Sequence, residues 1–245
     1  MTTDPGIYLT VPCYPGVVDF RIEGAIHAAR TRFPLCAVRM ESVSALCLAF
    51  NIAYAQALNM RGQGITHFVM LHSDVVPAQQ VIADQDGANG RVSGCWIDVL
   101  LSEMAAHGLD AISAVVAIKH DKGETSTGVE RAADGGDKGR LRLSNCLEWE
   151  GATRRAQDMK NYRLLINTGC MVIDIRKPWA ERLYFRTQDA IRKDAKTGLF
   201  EAHFEPEDWE MSRMLSKWGV PYGATTALRV EHMGRKAYPN WRTEE

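Results

Sequence analysis

Residues able to do chemistry gather in four short groups: His72-Ser73-Asp74, Asn167-Thr168-Gly169, Glu207-Asp208-Trp209 and His232 to Lys236. The first group ends a short apolar run, Thr66 to Leu71, with Gly64 before it and Pro77 after it. That run reads as a strand buried on both faces, central in a parallel sheet. Polar residues directly after such a strand face a cleft, because ligands of open α/β sheets sit beyond the carboxyl ends of the strands. A carboxylate there, beside an imidazole, suits a hard divalent cation that neutralises a diphosphate. An Asp that ends the strand and opens a turn is the simpler alternative. Glu207 and Asp208 stand where a helix begins. A fixed carboxylate there meets the need of general-base catalysis, although acids are also common capping choices. In Asn167-Thr168-Gly169, Gly permits close approach and Asn offers both donor and acceptor groups. An ordinary turn before the next strand accounts for the same three residues.

The elements that must position these groups follow from periodicity. Residues 7–11 form a first strand closed by Pro12. Residues 20–32 form a helix through Ile22, Ala25, Ile26 and Ala29, and residues 35–40 a second strand. Ser44 to Met60 spaces Leu46, Ala49, Phe50, Ala53, Ala57 and Leu58 as a long helix, with Ser42 or Ser44 as its N-cap. Residues 95–107 read as a helix and 110–118 as a strand. This alternation predicts a Rossmann-like, mixed but mostly parallel central sheet flanked by helices. Residues 120–161, rich in Gly, Asp, Lys and Arg, read as a long loop interrupted by short strands near 140–143 and 147–149. After it come 164–166, a strand over 170–175, and a helix from Pro178 to about 185. A further helix opens with Glu205-Pro206-Glu207-Asp208 and runs to Trp218, its acids suited to the first turn. A last strand covers 227–230. One domain spanning 1–245 is expected, with a nucleotide-binding half over 1–119 and a sugar and acceptor half over 120–245.

Composition narrows the class. The chain has 245 residues, 46% hydrophobic, and a formal charge of −1, so overall charge argues for neither nucleic acid nor membrane. It has no apolar run of roughly 20 residues, and its start lacks the features of a signal peptide. Six scattered cysteines without Cys-x-x-Cys spacing read as reduced, buried thiols rather than a zinc site, and a cytoplasmic setting is expected. Basic charge is concentrated locally. Residues 131–196 hold fifteen Lys or Arg against nine Asp or Glu, among them Arg140, Arg142, Arg154, Arg155, Lys160, Arg163, Arg192, Lys193 and Lys196. Such a stretch is either a surface that tracks phosphates or a solvated face.

In this order the groups resemble the GT-A type of nucleotide-sugar-dependent glycosyltransferase over nearly the whole chain. That family ends its central strand in an Asp-x-Asp motif that holds Mn²⁺ or Mg²⁺ on the donor diphosphate. His72-Ser73-Asp74 is similar to it, with His in place of the first carboxylate, which leaves Asp74 as the implied ligand and the part of His72 open. Phe50-Asn51 resembles the family's Arg-Asn near the nucleotide, implying a nucleotide contact for Asn51. Asn167 and Gly169 resemble a turn that borders donor sugar and acceptor. Glu207-Asp208 resembles the Glu-Asp motif of inverting members, implying Asp208 as general base, Glu207 as second choice and Trp209 as an apolar wall for a sugar ring. Glu231-His232-Met-Gly234-Arg-Lys236 resembles a His-x-Gly-x-x-Lys segment, in which the His completes the metal shell and the Lys, here with Arg235 nearby, meets the diphosphate.

The resemblance further implies that Thr10, Pro12 and Tyr14 line the nucleoside, with Tyr14 stacking on the base, and that Ser73 approaches ribose or phosphate. The implied reaction is transfer from a nucleoside diphosphate sugar, a UDP-sugar by preference, to a hydroxyl, leaning towards inversion. Small enzymes of this kind also resemble phage-type transferases that glycosylate hydroxymethylated pyrimidines, which makes double-stranded DNA, met through residues 131–196 in a host cytoplasm, one expected acceptor. The base would then leave the stack to reach the site. Saccharide and lipid-linked acceptors are the alternatives. Two other classes compete. A nucleotidyltransferase would carry a Gly-rich basic loop where Pro12-Cys13-Tyr14-Pro15 stands, and a non-catalytic nucleotide-sugar binder would explain loss of the first motif Asp.

Overall fold

The computed structural model describes residues 4–13, 18–78, 95–132, 138–194, 197–234 and 236–241. The expected roles of Tyr14 and Arg235, and the charge of Lys196, lie outside the described residues. In chain order the elements are β1 (Gly6–Pro12), α1 (Phe20–Arg32), β2 (Cys36–Glu41), α2 (Leu46–Asn59), β3 (Ile65–Leu71), β4 (Val75–Pro77), α3 (Trp96–His107) and β5 (Ala111–Ala114). There follow β6 (Glu124–Arg131), β7 (Lys138–Arg142), α4 (Leu143–Leu147), β8 (Thr153–Arg155), β9 (Tyr162–Leu165) and β10 (Cys170–Asp174). The chain continues through β11 (Gln188–Lys193), β12 (Phe200–Glu205), α5 (Glu207–Lys217), β13 (Tyr222–Thr225), β14 (Val230–Met233) and β15 (Ala237–Pro239).

Seven strands form a mixed sheet in the order β2-β1-β3-β10-β5-β13-β8. The β2–β1, β1–β3 and β5–β13 pairs are parallel, whereas β10 runs antiparallel to both β3 and β5, and β8 antiparallel to β13. Five strands therefore share one direction, and β3 is central as expected but has a parallel neighbour on one side only. Alternation along the strands sends Ile7, Leu9, Val69, Leu71 and Ile112 to the face covered by α1 and α3. Tyr8, Phe68, Met70, Met171 and Ile173 point to the other face, covered by α2 and α5. Each large side chain fully buried this way, such as Phe68 or Leu71, contributes about 1.5–3 kcal/mol. Where β1 and β3 begin, Gly6 admits no side chain, because a Cβ there would stand 2.0 Å from the Gly64 carbonyl oxygen.

Several expectations are corrected. The helix after β2 starts at Leu46 with Ala45 at its N-cap and no side-chain cap, so neither Ser42 nor Ser44 caps it. The strand expected over 110–118 stops at Ala114, because the backbone of 115–117 turns away to bond other segments: the Val116 carbonyl accepts from Ser126 and the Val115 carbonyl from Asn240. The described residues of 120–161 supply β6, β7, α4 and β8, and the first two of these join β9 in a sheet of their own, β7-β6-β9. Charges that suggested a loop are consumed in ion pairs, as where Lys138 closes on the buried Glu205 and Arg155 on Asp158. Residues 147–149 end α4 rather than forming a strand, and 178–182 make a 3-10 turn. The last strand of the central sheet is β13, while β14 leaves it to pair with β4 and β15. The β11–β12 hairpin carries Ile191, Phe200 and Phe204 in the open. No helix among the described residues is long and apolar enough to cross a membrane.

Candidate active site

Polar side chains from five distant segments meet beyond the carboxyl ends of β3 and β5. Asp74 lies in the turn between β3 and β4, and its backbone carbonyl accepts from the Met233 amide at 2.7 Å. The pairing of β14 with β4, His232 opposite Val75, brings the His232 Nε2 to 3.7 Å from Asp74 Oδ2. The other ring nitrogen, Nδ1, lies 2.7 Å from the Ala117 carbonyl oxygen. A carbonyl only accepts, so Nδ1 carries the proton and Nε2 is the atom turned to Asp74. The ammonium of Lys119 donates to the same Asp74 oxygen. Burial pushes the Asp74 carboxyl up, but His232 and Lys119 outweigh it and hold the group well below the usual carboxylate range.

His72 turns the other way. Its ring stacks on Phe50 with centroids 5.5 Å apart, its amide donates to the Gly169 carbonyl at 2.9 Å, and its Nε2 faces Thr168 Oγ1 at 3.4 Å. Burial holds the imidazole below its ordinary range, so it is neutral near pH 7. Thr168 donates in turn to Glu207 Oε1 at 3.1 Å. Glu207 opens α5, and Ser212, one turn on, binds that helix to the strand before the turn. Its hydroxyl accepts from the Ile166 amide at 2.9 Å and lies 2.8 Å from the Asp208 carbonyl. A path of polar contacts therefore runs from the motif after β3 to the acids of α5. Asp208 next to Glu207 is pushed up to about 8, first by burial and then by the neighbouring Glu207. The helix start was expected to favour its ionised form; loss of water outweighs the helix dipole.

The remaining candidate residues divide. Pro12, Ser73 and Asp74 line a cleft of about 190 Å³ together with His72, Val43, Ser44 and Leu46; the last three were missed. Thr10 is buried within the sheet, its Oγ1 without a partner among the described residues. Asn51 spends its amide on the Phe185 backbone, donating at 2.7 Å and accepting at 2.8 Å. Asn167 donates to the Ala114 carbonyl at 2.7 Å and accepts from the Gly169 amide at 3.0 Å, so it shapes the turn from beneath. Gly169 is packed close, with Asn167 Oδ1 3.2 Å from where a Cβ would lie. Trp209 is buried, its indole nitrogen donating to the Ser126 carbonyl at 3.3 Å, with the Arg140 guanidinium 5.2 Å from its ring centre. Lys236 pairs with Asp121 at 2.5 Å on the surface. Lys119 takes the place at Asp74 instead. Its signal was available in the sequence: Lys119-His120 follows the apolar run 111–118 as His72-Ser73-Asp74 follows 66–71.

The donor set does not fit a hard divalent ion. Asp74 and His232 face each other, but the ammonium of Lys119 already sits on the carboxylate oxygen between them. Such an ion can complete its shell with water and a diphosphate but still needs a free carboxylate from the protein, and among the described residues no group of three His, Cys, Asp or Glu offers it another. The basic stretch is likewise not one free face, since Arg155 pairs with Asp158, Arg163 with Glu130 and Lys138 with Glu205. Of the six free cysteines, Cys36 and Cys47 are only half-buried. A larger cavity of about 770 Å³ lies between α1 and the start of α3, bounded by Val76, Ala78 and Cys95.

No family model matches the chain, and comparison with curated proteins finds no match. Among solved structures, A197 from STIV aligns at a TM-score of 0.50 and 13% identity, covering 94% of this chain and 86% of that one. Two mutants of UDP-glucose pyrophosphorylase from Leishmania major, each in complex with UDP-glucose, align at a TM-score of 0.32. They are 12% and 11% identical, and the alignments cover 85% of this chain and 49% of theirs. At these identities the likeness to A197 is one of fold.

Proposed function

We propose that the chain is a single glycosyltransferase domain of the GT-A type, which moves a sugar from a nucleoside diphosphate sugar, a UDP-sugar by preference, to a hydroxyl acceptor. One observation carries the reading: a polar path from His72 through Thr168 reaches Glu207, the neighbour of Asp208 at the start of α5, and so links the two groups that sequence resemblance assigned to donor and acceptor. The donor lies over the mouth of β3, with Pro12 and Ser73 along the nucleotide and the diphosphate at the Asp74 cluster. The acceptor hydroxyl lies at Asp208. Its oxygen forms a bond to the anomeric carbon, its proton passes to Asp208, and the bond to the diphosphate breaks with the electron pair on the leaving oxygen. A single displacement of this kind inverts the anomeric centre. A base near neutral pKa suits the work, because proton transfer is most efficient when the catalytic pKa is near the operating pH.

Thermal unfolding with UDP and UDP-sugars, followed by product analysis, tests this. A ligand at about a hundred times its dissociation constant should stabilise the fold by roughly 2.7 kcal/mol. Incubation with UDP-sugar and an acceptor panel that includes saccharides, lipid-linked alcohols and hydroxymethylated duplex DNA should release UDP and give a product of inverted configuration. Release of pyrophosphate from a nucleoside triphosphate and a sugar phosphate would instead define a nucleotidyltransferase. If no nucleoside diphosphate or its sugar stabilises the fold, the reading is wrong.

A further inference from the structure

We propose that Lys119 is the resident cation of this site, so that the donor diphosphate is met by its ammonium and needs no divalent ion; the inference rests on the donor reading above. Lys119 stands five residues after the end of β5, and its ammonium donates to Asp74 Oδ2, the oxygen that also faces His232. An ammonium has three donors. One is spent on Asp74, and the group is 35% exposed beside an Asp74 that is 40% exposed, so donors remain for an incoming anion. The stem of the side chain is guided. A Cβ on Gly234 would lie 3.2 Å from Lys119 Cδ and 3.5 Å from Lys119 Cβ, so the glycine keeps the lane that brings the ammonium to Asp74. His232, anchored on the Ala117 carbonyl, closes the other side of the same oxygen.

Charge decides against sharing. A dication on Asp74 would stand against the Lys119 ammonium at contact distance, and like charges so close repel strongly. Asp74 is then a positioning residue, holding Lys119 towards the cleft, and Lys119 is the group that touches the leaving diphosphate. As the bond from the anomeric carbon to the diphosphate oxygen breaks, the pair of electrons stays on that oxygen and the ammonium hydrogen-bonds the charge that develops. No oxidant, reductant or further reactant enters.

Calorimetric titration of UDP and of uridine, with chelator and then with Mn²⁺, tests the assignment on the wild-type chain and on Lys119→Met, which keeps the stem and loses the charge. The wild type should bind UDP in chelator, with Mn²⁺ changing the dissociation constant by no more than about twofold. Lys119→Met should weaken UDP by about tenfold or more while uridine changes by less than about twofold. UDP binding that appears only with Mn²⁺, or UDP binding unchanged in a folded Lys119→Met, would overturn the assignment. If the variant fails to fold, the Mn²⁺ dependence of the wild type decides alone. Binding of no nucleoside diphosphate under either condition removes the donor reading as well, a result distinct from metal-dependent binding.

Discussion

Burial keeps the proton on Asp208 up to about 8, with consequences for both rate and stability. A base must be ionised to act, so kcat/KM should rise with pH along a limb centred near 8, and Asp208→Asn should lower turnover by about 10²–10⁴-fold. Stability moves the other way. A carboxyl whose folded pKa is raised favours the native state fully below its ordinary value of 3.8, and that contribution is lost as pH rises through about 8. Asp208→Asn should therefore match the wild type in thermal unfolding near pH 4 and exceed it near pH 9. Each tenfold difference in proton affinity between the folded and unfolded chains adds at most ~1.4 kcal/mol to that gap. A pH-independent difference between the two proteins would show that Asp208 is not desolvated in solution. At this scale the positions of Asp74, Glu207 and Asp208 beyond a strand and at a helix start were legible, because polar residues there stand out against apolar runs. His232, inside β14, was singled out only through the resemblance; the roles of all four are those proposed above. Lys119 was overlooked, since Lys236 fitted a familiar segment, and the capture of Lys236 by Asp121 depends on a surface pairing that linear spacing does not encode.

Among the elements, β14 and β15 matter most to the site, and one side chain holds them. Asn240 is buried; it donates to the Val115 and Leu228 carbonyls and accepts from the Val230 amide, all within 2.9 Å. Asn240→Ala strands those groups, and a buried unsatisfied polar group costs about 1–3 kcal/mol. Urea unfolding should show a loss of about 3 kcal/mol, with UDP affinity falling as His232 loses its alignment on Asp74. An unchanged midpoint would mean that the segment is held elsewhere. Helices α1 and α3 were legible to within a residue, because Ile22, Ala25, Ile26 and Ala29 recur at helical spacing. Strand β6 was not. Its Thr125, Thr127 and Glu130 are buried, but polar residues satisfied by distant partners carry no hydrophobic period to read.

At the scale of the whole molecule, the two stretches on either side of residue 119 share one sheet. β10 enters between β3 and β5, bonded on both edges and fully buried except for a trace at Asp174. Its amides reach water only when the sheet comes apart, whereas β11 and β12 form a two-stranded hairpin exposed along most of its length. Amide exchange should accordingly be slowest in β10 and β3, tracking global unfolding, and fastest by local opening in the hairpin. Equal exchange in β10 and the hairpin would contradict this topology.

The insertion of β10 also limits how the protein can be recombined. A chimera that keeps residues 1–119 and takes the remainder from another source inherits β3 and β5 with a strand-wide gap between them. Unless the donor supplies an antiparallel strand of five residues with the register Cys170 to Leu71 and Met171 to Ser113, two bare edges face each other. Open edges recruit other chains, so grafting a new second half must begin with that strand and not with the cleft.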